Sequence, residues 1–480
     1  MAPPGMIRNW GASLLALALT PLASYALILL LAIQLGPGAV GVFAAFTVTL
    51  YLLQSLGSLG LDTYLVRHVA ALPERRAALL GGALSLAAAG GLVGAVVAVL
   101  LPGVLVEGTE GQHALQAGSL AVIPAACAVI AEGYLNGIER NSLVAASNCA
   151  ESLLRMAAAL VAIRAGAGVL GAVLAVVAGR WFGLAIDLWL IHRVSDVLPA
   201  WQGPRRLARQ ARSAVGFSLN YVVLLTLQRG DLLWLTRLVG EVSFGVFYGG
   251  YRVFEMAVMV PQGLLPALLS AASRLWHEAS PTAARDATER AGRVLLAVLL
   301  VPTALLGVHA HWVLGLLFPP EFQQAAAPTS ILGLSLVSFG LATVAGAYLY
   351  AAGRPALVTA VLVPAAAAAV ALNLLLVPRL GGTGTALARV AWTWADALGL
   401  FAASALLPVR LRLLPILLRP LLAAAPAFAV LVLLRGLPPV SIAAALLVDV
   451  AGLWALGVLH RDVPELARAG RRRTMAEPVA

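Results

Sequence analysis

The chain is almost continuously apolar, and this feature most limits what it can fold into. Fourteen mostly apolar stretches follow one another between residues 11 and 459, and each is close to the roughly 20 residues that a membrane-spanning helix needs. Charged residues make up 11% of the chain, whereas about a quarter of the residues of a soluble domain are charged. The sequence therefore predicts an all-α, polytopic membrane protein with about 14 transmembrane helices.

The basic residues predict how these helices are oriented. All 32 are arginines, and if the N-terminus is cytoplasmic, 23 fall in cytoplasmic segments, 4 in outer loops and 5 within the apolar spans. Arginine accumulates in the cytoplasmic loops of membrane proteins, so this distribution predicts that both termini are cytoplasmic. We expect the protein in the bacterial cytoplasmic (inner) membrane.

Two short patterns recur six spans apart and predict an internal repeat. The patterns are Gly36 with Gly41-Val42-Phe43, which returns as Gly240 with Gly245-Val246-Phe247, and Arg180 with Asp187, which returns as Arg389 with Asp396. An even number of spans separates the copies, so both halves have the same orientation and the repeat is parallel.

The repeat predicts two six-helix lobes and further segments at the chain's middle and end. We expect an N-terminal lobe at 1–192, a cytoplasmic basic linker at 193–212, a C-terminal lobe at 213–407, accessory helices 13 and 14 at 408–459, and a cytoplasmic basic tail at 460–480.

Signatures of catalysis and metal binding are missing from the sequence. Without lysine, a Walker A phosphate loop and a Schiff-base mechanism are impossible, and HExxH, GxSxG and paired CxxC motifs are absent. His309 and His311 lie beside Trp312 at a predicted outer interface, where we expect amphipathic anchoring and not a metal site. We therefore expect a transporter, not an enzyme, with no cofactor or metal.

The five arginines inside spans are the best candidates for a functional site, because an intramembrane charge is costly and usually serves a task. Arg229 and Arg252 lie at matching predicted depth below the turn between the seventh and eighth spans. A guanidinium is a planar fork of donors that suits phosphate. We predict a substrate cavity with these arginines and with polar groups of the same two helices, namely Asp231, Glu255, Asn220, Gln228 and Tyr251.

The alternative is that the intramembrane charges neutralise one another and only tie helices together. Arg252 and Glu255, three residues apart, can pair on one helix face, and Glu151 with Arg155, four apart, is interpreted as a structural pair. The secondary intramembrane charge pairs that we predict are Arg180 with Asp187 and Arg389 with Asp396. For these two, the structural and the functional interpretation stay open.

Several short segments in a fixed order carry a family resemblance. They are Leu35–Phe43, Gly60–Arg67, Arg229-Gly230-Asp231, Gly245–Tyr248, Tyr251-Arg252, Val260-Pro261, Ala352-Gly353-Arg354, Asn373–Pro378 and Gly381–Gly384. In order and spacing they resemble the multidrug, oligosaccharidyl-lipid and polysaccharide (MOP) exporter superfamily, specifically its polysaccharide-transporter or O-antigen flippase branch.

The resemblance implies two lobes that face each other across a central cavity, with the first, second, seventh and eighth helices lining it. This adds Tyr25, Tyr51 and Gln54 to the candidate site. The implied function is a flippase that moves a polyprenyl-pyrophosphate-linked oligosaccharide across the membrane by alternating access, for O-antigen or exopolysaccharide biosynthesis. Neither of the first two spans carries a charge, which leaves room for a differently charged lipid-linked substrate.

Two other functions stay open. An ion-coupled multidrug antiporter of the same fold would need a membrane carboxylate that exchanges a proton or sodium ion, for which Glu132, Glu151 and Asp187 are candidates, but several cavity arginines would repel a cationic drug. A membrane glycan polymerase or ligase is less favoured, because the chain has no sizeable outer loop. The candidate partners are the lipid-linked glycan, membrane lipid, a coupling proton or sodium ion and a polysaccharide polymerase, and no nucleic acid.

Overall fold

A computed structural model describes residues 4–106, 108–200, 202–278, 280–462 and 464, without the side chains of 4–21, 67, 70, 71, 73, 213–228, 233, 266, 267, 270 and 278. The described residues are almost entirely helical and contain no strand, which confirms the all-α class. The helices are α1 (Pro4–Ser58), α2 (Leu61–Ala71), α3 (Arg76–Leu100), α4 (Pro102–Leu105), α5 (Thr109–Gly118), α6 (Val122–Gly137), α7 (Asn141–Arg164), α8 (Gly168–Ser195), α9 (Pro204–Leu238), α10 (Glu241–Glu278), α11 (Pro281–Leu317), α12 (Ala326–Ala351), α13 (Pro355–Ser404), α14 (Leu413–Leu433) and α15 (Pro438–Ala455).

The length and apolarity of these helices are those of a multi-pass membrane protein. In the part of the chain that the structure describes, ten helical segments are long and apolar enough to cross a membrane. Two of them, α1 and α13, each join two helices at a glycine with non-helical backbone angles, Gly36 and Gly381. The count of 14 spans stays a prediction.

The chain divides into two compact units, Met1–Tyr248 and Gly249–Ala480. In the first unit, Leu65, Leu80 and Tyr134 belong to a buried core formed by α2, α3, α6 and α8. The division falls within α10, whereas the sequence places a linker at 193–212, and the limits of the six-helix lobes stay a prediction.

In the second unit, α11 holds the accessory helices through two ion pairs. Arg293 donates two hydrogen bonds of 2.7 Å to Asp462, which follows α15. Arg412, just before α14, donates to both carboxylate oxygens of Glu289 at 3.0 and 2.9 Å. These pairs fix both ends of the accessory segment to one helix.

The basic linker docks on the beginning of α3. The Ala200 amide donates to the Ala77 carbonyl at 3.0 Å, and the Gln202 and Gln210 side chains donate to carbonyls of the next two α3 residues. Four arginines of the same segment are exposed, namely Arg205, Arg206, Arg209 and Arg212. The linker thus has one face bound to α3 and one cationic face.

The two copies of the glycine repeat have the same backbone geometry. Gly36 precedes the second half of α1 with φ of 80°, and Gly240 precedes α10 with φ of 74°. Positive φ is accessible to glycine at little cost. The first glycine of the repeated pattern therefore meets the same requirement in both copies, which is to turn the chain into a new helix.

The second glycine of each copy lets the two copies touch within the first unit. A Cβ atom on Gly41 would overlap the carbonyl oxygen of Glu241. A Cβ atom on Gly245 would overlap the carbonyl oxygen of Pro37. Pro37 and Glu241 are themselves separated by the repeat offset of 204 residues, so the contact is reciprocal, as it is across a two-fold axis.

Candidate functional site

Arg229 is half-buried in α9 and lies over an aromatic face. Its guanidinium carbon is 5.3 Å from the centre of the Tyr51 ring of α1. Two residues further on, Asp231 is 3% exposed, and its Oδ1 accepts a 2.9 Å hydrogen bond from the Leu232 amide. The two charged groups therefore have different surroundings, and Arg229 keeps part of its surface accessible.

The other candidates of the first unit lie mainly on α1. Gln54, about one turn after Tyr51, is buried, and its Oε1 has no hydrogen-bond partner among the described residues. Tyr25 is half-buried in the earlier part of the same helix. The side chains of Asn220 and Gln228 lie outside the described residues, so their place in a cavity stays a prediction.

In the second unit, Arg252 pairs with Glu255 on α10. The distance between Arg252 Nη1 and Glu255 Oε2 is 2.8 Å, and the two side chains are 24% and 19% exposed. This is the pair that the three-residue spacing predicts. A guanidinium carries five N–H donors, and that of Arg252 stays partly accessible beside the carboxylate.

Arg389 of α13 is buried inside a set of aromatic rings. Its guanidinium carbon lies 5.2 Å from the Tyr251 ring centre, 5.9 Å from Phe254 and 6.0 Å from Trp392. Tyr251, which the sequence predicts in the substrate cavity, is only 2% exposed. This tyrosine therefore packs on a buried cation.

The predicted charge pairs seven residues apart stay a prediction, but the carboxylate that pairs with Arg180 is on another helix. Arg180 of α8 binds Glu151 of α7, with 3.3 Å between Nη1 and Oε1. The Oδ1 atoms of Asp187 and Asp396 are buried and accept no hydrogen bond from a described residue. Residues seven apart lie two turns apart, a rise of about 10 Å, so a neighbouring helix can offer Arg180 a nearer partner.

Glu151 is the centre of a buried charge group that connects three helices. It is 4% exposed, and besides Arg180 it pairs with Arg155 at 3.5 Å. Arg155 donates a 3.0 Å hydrogen bond to Ser24 of α1. A Cβ atom on Gly183 of α8 would lie 2.6 Å from Glu151 Oε2, so this glycine provides the space that the carboxylate occupies.

Two more carboxylates lie near this group. Glu132 and Asp187 are within electrostatic range of Arg180 and Glu151. Three carboxylates thus face two guanidiniums among the described residues. The sequence identifies the three acids only as separate candidates for ion coupling. Glycines at 179 and 183, four residues apart on one face of α8, are the signal that α7 packs closely there.

The family of the chain follows from its sequence. The sequence model of a family described as "Polysaccharide biosynthesis protein" matches residues 6–273, which is more than half of the chain. The chain belongs to this family. No curated protein matches it.

Solved structures show the fold of this member of the polysaccharide biosynthesis protein family. A lipid II flippase MurJ in an inward closed conformation has a TM-score of 0.77 and 12% identity, over 94% of this chain and 99% of that one. An inward-facing multidrug resistance MATE family transporter has a TM-score of 0.62 and 17% identity, over 82% and 98%. A MOP superfamily transporter from Pyrococcus furiosus has a TM-score of 0.59 and 16% identity, over 82% and 92%. With the family match, these folds place the chain in the MOP exporter superfamily, which confirms the resemblance.

Proposed function

We propose that this MOP-type membrane transporter exports a polyprenyl-pyrophosphate-linked oligosaccharide across the bacterial cytoplasmic membrane by alternating access. One observation carries the proposal. Each unit has an arginine in a sequence-predicted membrane span that keeps part of its surface accessible, Arg229 over Tyr51 and Arg252 beside Glu255. A partly desolvated guanidinium remains charged and binds phosphate oxygens through paired, charge-assisted hydrogen bonds.

Polar groups of α1 suit the glycan part of this substrate. Tyr51 presents an aromatic face and a hydroxyl, and the buried Oε1 of Gln54 accepts no hydrogen bond from a described residue. An unsatisfied buried acceptor costs about 1–3 kcal/mol, which a sugar hydroxyl would recover when it donates. The polyprenyl chain would stay in lipid, and a polysaccharide polymerase would take up the exported unit for O-antigen or exopolysaccharide synthesis without any bond being broken by the transporter.

The charge group around Glu151 supports coupling to a proton or sodium ion. Three carboxylates near two guanidiniums leave a surplus negative charge, and an uncompensated charge is costly in a low-dielectric interior. A bound proton or monovalent cation would remove that cost.

An ion-coupled multidrug antiporter is the second candidate, and the same carboxylates favour it. Glu132, Glu151 and Asp187 would serve a drug antiporter as well as a flippase. The accessible guanidiniums of Arg229 and Arg252 argue for an anionic substrate, because they would repel the cationic drug that such an antiporter moves.

Complementation of a deletion strain tests the proposal. We expect Arg229→Ala and Arg252→Ala to abolish surface polysaccharide while lipid-linked repeat units accumulate on the inner leaflet and the protein stays in the membrane at wild-type level. Arg237→Ala is the matched control, since it removes an exposed arginine from the end of the same helix α9. Full complementation by the double alanine variant would refute the lipid-phosphate function, and restored efflux of a cationic dye would favour the antiporter.

A further inference from the structure

A polar cavity of about 600 Å³ lies in the second unit, where α11 ends beside the turn before α12 and the turn between α14 and α15. This volume is typical of small-ligand sites, which measure about 300–1,000 Å³. The polar and aromatic side chains that line it are His309, His311, Trp312, Gln323 and Arg435. None of the residues described around the cavity is acidic, so its electrostatics favour an anion.

One wall of the cavity is fixed by a hydrogen-bond chain between two helices. His309 is 4% exposed, and its Nε2 lies 2.8 Å from the Ser441 hydroxyl of α15. The same hydroxyl lies 2.9 Å from the Pro438 carbonyl, and when it donates its single proton there, Nε2 donates to the hydroxyl oxygen. The α11 backbone leaves helical geometry at His309, with φ −117° and ψ 21°. The wall is therefore a built feature of the fold.

The open side of the cavity carries donors. Arg435 and His311 are exposed. Gln323 rests against Gly315, where any Cβ atom would collide with its side-chain amide. A guanidinium, an imidazole and an amide together form a donor set that matches the oxygens of a phosphate group. Trp312 adds the indole that is enriched at the boundary between membrane and water.

An apolar cavity follows the polar one along α11. Its volume is about 570 Å³, and its lining includes Leu300, Gly307, Leu334 and Phe428 from α11, α12 and α14. Gly307 lines the apolar cavity and the next residue, Val308, lines the polar one. The polar cavity lies at the end of α11, and the apolar cavity lies deeper along the same helix. Their order matches that of a lipid, whose polar headgroup is followed by an apolar chain.

We propose that the polar cavity binds the phosphate group of a membrane lipid in the leaflet beside the predicted outer loops. Arg435, His311 and Gln323 donate to the phosphate oxygens, and an acyl chain lies in the apolar cavity along α11. The shared chemistry is a phosphate ester, which a lipid headgroup carries and which free inorganic phosphate imitates. This site is separate from the arginines assigned to the exported substrate and does not depend on that assignment.

Native mass spectrometry of the purified full-length protein in detergent tests the site. The protein is titrated with dioleoyl phosphatidylglycerol, with dioleoylglycerol, which has the same chains but no phosphate, and with inorganic phosphate. We expect one phosphatidylglycerol to bind with higher affinity than dioleoylglycerol. Arg435→Gln and His311→Leu should each weaken that binding at least about tenfold, because the first removes the charge of a donor and the second removes a donor altogether. Binding of inorganic phosphate to wild type with the same sensitivity would assign the cavity to the free ion.

Arg379→Gln is the matched control, because it removes another exposed arginine of a predicted outer loop. It should bind phosphatidylglycerol as wild type does. Equal binding by wild type, Arg435→Gln and His311→Leu would overturn the proposal, as would equal affinity for dioleoylglycerol or an equal loss in Arg379→Gln. The titration involves no transport, so its failure is distinguishable from failure of the export function.

Discussion

Gly41→Ala tests whether the two glycine-repeat copies come together in the working protein. An alanine Cβ atom would lie 2.7 Å from the Glu241 carbonyl carbon and 3.1 Å from the Gly245 amide nitrogen, where carbon atoms normally stay about 3.5–4.0 Å apart. Both neighbours are backbone atoms and cannot rotate away. Overpacking of this kind costs about 1–3 kcal/mol. We call the close contact between the two glycine-repeat copies the crossing. If export needs the crossing to form and separate, the substitution shifts that equilibrium about 5–150-fold towards separation.

Disulfide cross-linking across the crossing measures this shift. A Cβ atom on Gly38 would lie 3.6 Å from Val242 Cγ2, which is within the usual reach of a disulfide between cysteines at the two positions. The pair Gly38→Cys and Val242→Cys is introduced after Cys127 and Cys149 have been replaced by serine. We expect Gly41→Ala to lower the cross-linking yield at least fivefold under mild oxidation and to lower export in the complementation assay.

Two further substitutions separate the crossing from a general effect on folding. Gly245→Ala should act like Gly41→Ala, because the contact is reciprocal. Gly346→Ala, in α12, has no atom within 4 Å of the added carbon and should leave the cross-linking yield unchanged. A wild-type yield and wild-type export in Gly41→Ala would show that the two backbones do not approach each other in the functioning protein.

Three further outcomes are expected. Glu151→Gln removes the carboxylate that contacts both guanidiniums, while Glu132 and Asp187 remain nearby, so thermal unfolding in detergent should show a loss of about 1–3 kcal/mol; an unchanged melting curve would contradict the buried charge group. Asp462→Asn should destabilise the accessory helices by about 3 kcal/mol, since Arg293, 12% exposed, loses its charged partner, and protease should then cleave that segment faster. Single cysteines at exposed Arg206 and Arg379 should react with an impermeant maleimide only from the cytoplasmic and the outer side, and reversed labelling would overturn the orientation.

The helical class of the fold was predictable, because the long apolar stretches of the sequence determine it. Long apolar stretches can be satisfied in lipid only as helices, because every backbone polar group must be paired within the segment. The repeated glycines were also visible in the sequence. Their structural role was not visible, because the close approach of Gly41 to the Glu241 carbonyl depends on how two helices that are distant in the sequence pack against each other.

Contacts between candidate-site residues of the same helix were predictable from the sequence. Contacts between residues of different helices were much less so. Arg252 and Glu255 pair as their spacing predicts, since residues three apart share a helix face. Arg180 shows the limit of that reasoning. Its partner, Glu151, is on another helix, and Gly183 makes the approach possible. Spacing along one helix cannot reveal a competing partner on its neighbour.

The repeat preserves the backbone of the two halves and not their electrostatics. Its four glycines meet the same conformational requirements in both copies. The repeated arginines do not share surroundings, because Arg180 lies among carboxylates and Arg389 lies among aromatic rings. A group with surplus carboxylates attracts a proton or a cation, whereas accessible guanidiniums such as that of Arg229 attract phosphate. If the proposed export of an anionic lipid is coupled to a cation, this divergence lets the two ligands bind at separate charge groups, where they do not neutralise each other.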